Sequence, residues 1–139
     1  MTEHEHKHTG APPTFLIVEH ELALNQMLVD ALQMEFNGIV YAVTTGRSAI
    51  RTARRVKPTL LIIDNELRDT DATVLANRLH EIKQLEHTPT IFIDSHMASQ
   101  MKRPGYLIYF LRKPFLLQAL YKAVRQALSA SADGTESPS

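Results

Sequence analysis

The chain has 139 residues with 44% hydrophobic content, which fits one domain with a single core. Its 15 basic and 15 acidic residues cancel, so we expect neither direct DNA binding nor binding to a membrane surface. Without cysteine, disulfides and thiol catalysis are excluded, and without an apolar run of spanning length or a signal-peptide core a cytoplasmic protein is expected.

Both ends of the chain are predicted to be disordered. Residues 1–13 contain His4, His6 and His8 and end in two prolines, so this arm is either a solvated tail or a weak ligand for a transition metal. Residues 129–139 are small and polar and form a tail too short to fold. The folded domain is therefore expected to span residues 14–128.

Between these ends, apolar strands alternate with amphipathic helices. The segment from residue 95 to 105 has a weak apolar pattern and predicts a short or irregular helix. Strands with continuous apolar runs, separated by helices, indicate a doubly wound α/β fold with a five-stranded parallel sheet covered on both faces. The predicted strands are 15–18, 39–43, 59–63, 90–93 and 107–111, and the predicted helices are 22–36, 48–56, 70–83 and 115–128.

Three of the predicted strands run directly into charged residues. The first leads into Glu19 and His20, the third ends at Asp64, and the last leads into Lys113. In an open parallel sheet, neighbouring strands bring their C-terminal ends to one crevice, the usual place for a ligand or a reaction. The sequence thus predicts a site containing two acids, a histidine and a lysine.

The segments FLIVEHE, LLIIDNEL and LRKPF resemble, in order and spacing, the signature blocks of receiver domains of two-component response regulators. The resemblance covers residues 14–128 and implies the flavodoxin-like strand order 2-1-3-4-5. It implies that Asp64 is the phosphoacceptor and that Lys113, before a cis-proline, is its ionic partner. Without these roles, Asp64 would be a capping residue after a strand and Lys113 a surface lysine.

The resemblance also implies a divalent metal, Mg²⁺ or Mn²⁺, bound by Glu19, His20, Asp64 and Glu66. Mg²⁺ strongly favours oxygen ligands, so a histidine in place of the second acid predicts a weak or absent metal site that prefers Mn²⁺. In the alternative interpretation, His20 is a polar residue without a ligand role. Glu66 either adds negative charge near the phosphoacceptor or points to water.

The end of the fourth strand departs from the family as well. The position of the family's Ser or Thr falls on Asp94, and Ser95 could restore the hydroxyl only through a register shift. A carboxylate there would repel a phosphoryl group and could pair with Lys113. Asp94 and Ser95 join Asp64 and Lys113 as the candidates for the chemistry of the site.

We interpret the chain as a stand-alone, atypical receiver domain in phosphorelay signalling. The expected partners are a histidine kinase or phosphotransfer protein and a downstream protein, with homodimer formation left open. Such a domain is not a classical enzyme, although receivers catalyse their own phosphoryl transfer and dephosphorylation. The alternative is a pseudo-receiver, an interaction module that works without phosphorylation.

Two further patterns carry weaker information. A flavodoxin-like enzyme is disfavoured because no Gly-rich phosphate loop follows the first strand. The second helix carries arginines largely on one side, which form either a solvated face or a docking surface for an acidic partner or RNA. They are Arg47, Arg51, Arg54 and Arg55.

Overall fold

The computed structural model describes residues 11–93 and 105–133. Within these ranges the strands are β1 (Thr14–Val18), β2 (Ile39–Val43), β3 (Leu60–Asp64), β4 (Thr90–Ile93) and β5 (Ile108–Leu111). The α-helices are α1 (Leu22–Phe36), α2 (Gly46–Val56), α3 (Ala72–His80) and α4 (Leu117–Asp133), and a short 3₁₀ helix spans Lys83–Leu85. None of the helices in the described ranges is long and apolar enough to cross a bilayer.

The five strands form one parallel sheet in the order β2-β1-β3-β4-β5. The predicted fold class and strand order are therefore confirmed. The irregular helix predicted between residues 95 and 105 lies almost wholly in the range 94–104, which is outside the described residues. The first ten residues of the N-terminal arm and residues 134–139 of the tail are also outside them.

Apolar side chains cover both faces of the sheet, because successive residues of a strand point to opposite sides. One face packs against α1 and α4, and its buried strand residues include Phe15, Ile17, Leu60 and Ile62. The other face packs against α2 and α3, and its buried strand residues include Leu16, Val18, Leu61 and Ile63. The central strands β1 and β3 are consequently buried on both sides.

Helices α2 and α3 have boundaries that differ from the sequence prediction for local reasons. Helix α2 begins at Gly46, two residues early, because the Thr45 side chain caps it by accepting a hydrogen bond of 3.1 Å from the Ser48 N–H. Helix α3 begins only after Asp71, whose carboxylate accepts hydrogen bonds from the first-turn amides. It ends at His80, and a turn followed by the 3₁₀ helix brings Leu85 into the core.

The last helix runs past the predicted end of the domain. Helix α4 begins at Leu117 and continues to Asp133, so residues 129–133 are helical and the predicted disorder of the tail is wrong for them. These residues alternate serine with alanine and contain neither glycine nor proline. Alanine has the highest helix propensity, and nothing in this stretch stops the helix.

Two threonines join β1 and β3 at the N-terminal edge of the sheet. The Thr59 N–H donates to the Thr14 carbonyl at 2.8 Å, and the Thr14 N–H donates to the Thr59 hydroxyl oxygen at 3.0 Å. These hydrogen bonds fix the register of β1 and β3 at the N-terminal edge of the sheet.

Candidate functional site

The charged residues that follow β1, end β3 and follow β5 lie on one face of the sheet. In each of these strands, the residue two positions earlier belongs to the apolar layer beneath α1 and α4. Side chains two residues apart on a strand share a face, so alternation brings the charged groups to one side at the C-terminal edge. The three residues are Glu19, Asp64 and Lys113.

Asp64 and Lys113 form an ion pair at this edge. The Lys113 Nζ lies 2.7 Å from Asp64 Oδ2, and the other carboxylate oxygen, Oδ1, accepts a 2.7 Å hydrogen bond from the Glu66 N–H. The Asp64 side chain is fully buried, while 31% of the Lys113 side chain is exposed. The peptide bond between Lys113 and Pro114 is cis, as the resemblance implied.

Glu19 is a second fully buried carboxyl beside Asp64. Burial and the neighbouring Asp64 carboxyl together raise the pKa of Glu19 to about 8. For Asp64, burial alone would raise the pKa, but hydrogen bonds from Glu19, Lys113 and the Glu66 N–H outweigh it and lower the pKa. Of the two carboxyls, Glu19 is therefore the one whose environment favours the protonated form, and Asp64 the one whose environment favours the ionised form.

Lys113 balances that negative charge. Burial alone would lower the pKa of the Lys113 ammonium, but the hydrogen bond and the charge of Asp64 raise it. The ammonium is therefore fully charged at neutral pH. The two buried carboxyls and Lys113 thus form one cluster, in which Glu19 Oε1 has no hydrogen-bond partner among the described residues.

His20 lies at the rim of the pair. Its Nδ1 is 3.9 Å from Glu19 Oε2, which already accepts a 3.0 Å hydrogen bond from the Glu21 N–H. Within the described part of the chain, His20 Nδ1 has no hydrogen-bond partner although it is buried. A nitrogen this far from the carboxyl oxygen makes no hydrogen bond to it.

The predicted metal ligands converge only in part. Glu19 and Asp64 supply adjacent carboxyls and His20 a nearby nitrogen, whereas the Glu66 side chain is exposed and only its N–H is seen to reach Asp64. Among the residues described, no three His, Asp or Glu side chains are arranged closely enough to hold a metal ion. The donors present are fewer than the oxygen-rich set that Mg²⁺ prefers.

Asp94 and Ser95 lie outside the described residues, so the pairing of Asp94 with Lys113 and the hydroxyl of Ser95 in the site stay predictions.

One residue that positions the site was missed in the sequence. Asn25 is buried on α1, and its side-chain amide donates to the carbonyl oxygens of Glu19 at 2.9 Å and Val43 at 3.2 Å. It thereby ties α1 to the ends of β1 and β2 and holds the backbone of Glu19. The available signal was an asparagine in the helix stripe that also contains Leu28 and Leu32, because a polar residue at a core-facing position needs a hydrogen-bond partner.

No family model matches the chain. The Transcriptional regulatory protein TrcR of Mycobacterium tuberculosis is 30% identical over 129 residues, which cover 91% of this chain and 49% of TrcR. The chain thus spans about half the length of this curated relative.

Solved structures resemble the whole described domain. The chemotaxis response regulator CheY4 of Vibrio cholerae matches with a TM-score of 0.74 and 19% identity, covering 84% of this chain and 99% of CheY4. The receiver domain of sensor histidine kinase PA1611 from Pseudomonas aeruginosa, which has a magnesium ion in its active site cleft, matches with a TM-score of 0.71 and 20% identity, covering 86% and 99%. The chain therefore has the fold of CheY-like receiver domains of response regulators, and the resemblance found in the sequence is confirmed.

Proposed function

We propose that this chain is an atypical receiver domain that accepts a phosphoryl group on Asp64. The observation that supports this most directly is the 2.7 Å contact between Lys113 Nζ and Asp64 Oδ2 at the C-terminal edge of a receiver-fold sheet. The proposed donor is a phosphohistidine on a histidine kinase or phosphotransfer protein, and the output is a changed affinity for a downstream protein.

The geometry suits Asp64 for nucleophilic attack on phosphorus. Its lowered pKa keeps the carboxylate ionised, so an oxygen can form the new O–P bond while the P–N bond to the donor histidine breaks. Phosphoryl transfer depends mainly on positioning and on neutralising the phosphoryl oxygens. Lys113 is the residue of this site that neutralises them, because it can turn from the carboxylate to the phosphoryl group.

A divalent ion, when bound, would add positive charge beside the same oxygens. The residues fit such an ion weakly, because His20 offers nitrogen where Mg²⁺ favours oxygen. We therefore infer a weak metal site with a preference for Mn²⁺, and slow phosphorylation as its result.

A second function, a pseudo-receiver that binds its partner in one fixed state, is favoured by a different observation. Asp64 is fully buried, and each of its carboxylate oxygens already contacts a donor of the protein. A carboxylate satisfied in this way is stable without a phosphoryl group. Phosphorylation would first require the Lys113 contact to open.

Incubation with acetyl phosphate and either Mg²⁺ or Mn²⁺, followed by intact mass measurement, tests the proposal. We expect slow labelling, faster with Mn²⁺ than with Mg²⁺, that disappears in Asp64→Asn and increases in His20→Asp. The matched control is Asp30→Asn, which removes an exposed carboxylate on α1 and should label like the parent.

Two results would contradict parts of this proposal. Rapid Mg²⁺-dependent labelling of the parent would show that the metal site is not weak. Absence of labelling in the parent and in His20→Asp with both metals would reject Asp64 as a phosphoacceptor and support the pseudo-receiver.

A further inference from the structure

A cleft of about 430 Å³ lies between α2 and α3, in the layer on the other side of the sheet from Glu19, Asp64 and Lys113. Four arginines line it. Arg47, Arg51 and Arg54 come from α2, where their spacing of four and three residues places them on one helix face, and Arg78 comes from α3. The cleft therefore gathers guanidinium groups from two helices.

Within the described ranges, one carboxylate faces the four guanidiniums of this cleft. Among the described residues that line the cleft, this carboxylate belongs to Asp69, which accepts hydrogen bonds from the Gly46 N–H at 2.8 Å and the Arg47 N–H at 3.1 Å at the start of α2. In the described ranges, none of the four guanidiniums forms an ion pair, whereas Arg125 on α4 pairs with Glu35 at 3.6 Å. Four guanidiniums against one carboxylate leave an excess of positive charge in a chain that is neutral as a whole.

This arrangement differs from an ordinary solvated helix face. Such a face usually interleaves both signs of charge, because like charges three or four residues apart destabilise a helix. Here three arginines repeat on one face without an intervening acid. The cost is offset when an anion binds among them.

The walls of the cleft indicate which kind of anion fits. The half-buried Ile50 adds an apolar surface beside the arginines, above the buried Leu75, and the volume falls within the range of small-molecule sites. A guanidinium presents a planar pair of N–H donors that matches two oxygens of one phosphate. An apolar wall next to a phosphate-binding rim suits a ligand that carries both a phosphate and a flat ring.

We propose that this cleft binds a small phosphate-bearing ligand of nucleotide size. Its phosphates contact Arg51, Arg54 and Arg78, and its ring packs on Ile50. This site shares no residue with the proposed phosphoacceptor site, so each proposal can be tested independently of the other.

Calorimetric titration of the full chain with ADP at low salt tests the proposal. We expect Arg54→Gln and Arg78→Gln each to weaken ADP binding by about tenfold, the usual effect of losing one charged hydrogen bond. The matched control is Arg55→Gln, which removes the same charge from an exposed position on α2 outside the cleft and should change the affinity by about twofold or less. Inorganic pyrophosphate should bind more weakly than ADP, because it lacks the ring.

Several outcomes would overturn the proposal. Equal weakening by Arg55→Gln and Arg54→Gln would show that only the general charge of α2 attracts the ligand. Adenosine binding as tightly as ADP would remove the role of the arginines, and pyrophosphate binding as tightly as ADP would remove that of the apolar wall. Binding of a single-stranded RNA oligomer with no binding of ADP would make this face a nucleic-acid surface instead. Thermal unfolding of each variant confirms that the exposed substitutions leave the fold intact.

Discussion

Replacing Glu19 by glutamine should stabilise the protein relative to the parent, and this stability difference should grow as the pH rises. Glutamine keeps the shape of the protonated side chain but cannot ionise inside the sheet edge. A pKa raised from 4.5 to about 8 corresponds to at most about 4 to 5 kcal/mol of folding free energy.

The sign follows from proton uptake. Between pH 4.5 and about 8, the folded protein holds a proton on Glu19 that the unfolded chain has released. The free energy of unfolding therefore falls with rising pH across this window. The cost of the buried carboxyl is absent below the unfolded pKa and complete above the folded pKa.

Chemical unfolding of the parent and of Glu19→Gln, at steps between about pH 5 and pH 8, measures this effect. We expect the stability difference to move in favour of the variant by about 3 to 4 kcal/mol across the series. Titrating groups that do not interact with Glu19 cancel because both proteins contain them. Glu81→Gln is the matched control, since Glu81 is exposed and its variant should follow the parent at every pH. If the curves of Glu19→Gln and the parent run parallel, Glu19 does not carry a proton in the folded state.

Three other substitutions test contacts of the fold. Lys113→Gln should lower the free energy of unfolding by about 1 to 3 kcal/mol at neutral pH, because the buried Asp64 loses its charged partner; unchanged stability in urea unfolding would mean that Glu19 or water replaces the ammonium at no cost. Gly38→Ala should lower it by about 1 to 3 kcal/mol, because the added methyl group collides with the buried Phe15 ring; a melting temperature equal to that of the parent would contradict this packing. Asp71→Ala should cost about 1 kcal/mol by removing the cap of α3, and Asp71→Ser should restore most of it; equal melting temperatures for the two variants would exclude a capping role.

The sheet could be predicted from the sequence because its strands are marked by strong local signals. β2 and β4 have the predicted bounds, since Gly38 precedes one and Pro89 the other. The end of α3 could not be predicted from periodicity, because Ile82 continues the apolar spacing of the helix. The chain turns there to bury Leu85, and this depends on tertiary packing.

The site was predictable only in its outline. Strand parity brings Asp64 and Lys113 together, and their types and spacing are visible in the sequence. The proton on Glu19 depends on burial and on a carboxyl from another strand, which no local pattern reveals. The two hydrogen bonds donated by the Asn25 side chain likewise depend on tertiary structure, because one acceptor, the Val43 carbonyl, lies 18 residues away on β2.

The apolar character of both sheet faces has a consequence for alignment of the strands. If β3 slipped by one residue along β1, Leu61 and Ile62 would exchange layers, yet the buried apolar area would change little. Hydrophobic burial therefore does not choose among the sliding positions of the central strands. The polar contacts at the two edges of the sheet select the strand register. Thr14 forms a hydrogen bond with Thr59 at one edge, and Asp64 forms an ion pair with Lys113 at the other. Correct pairing of the strands therefore also assembles the charged site. Forms with a shifted strand register should lack both the Thr14–Thr59 hydrogen bond and the Asp64–Lys113 ion pair.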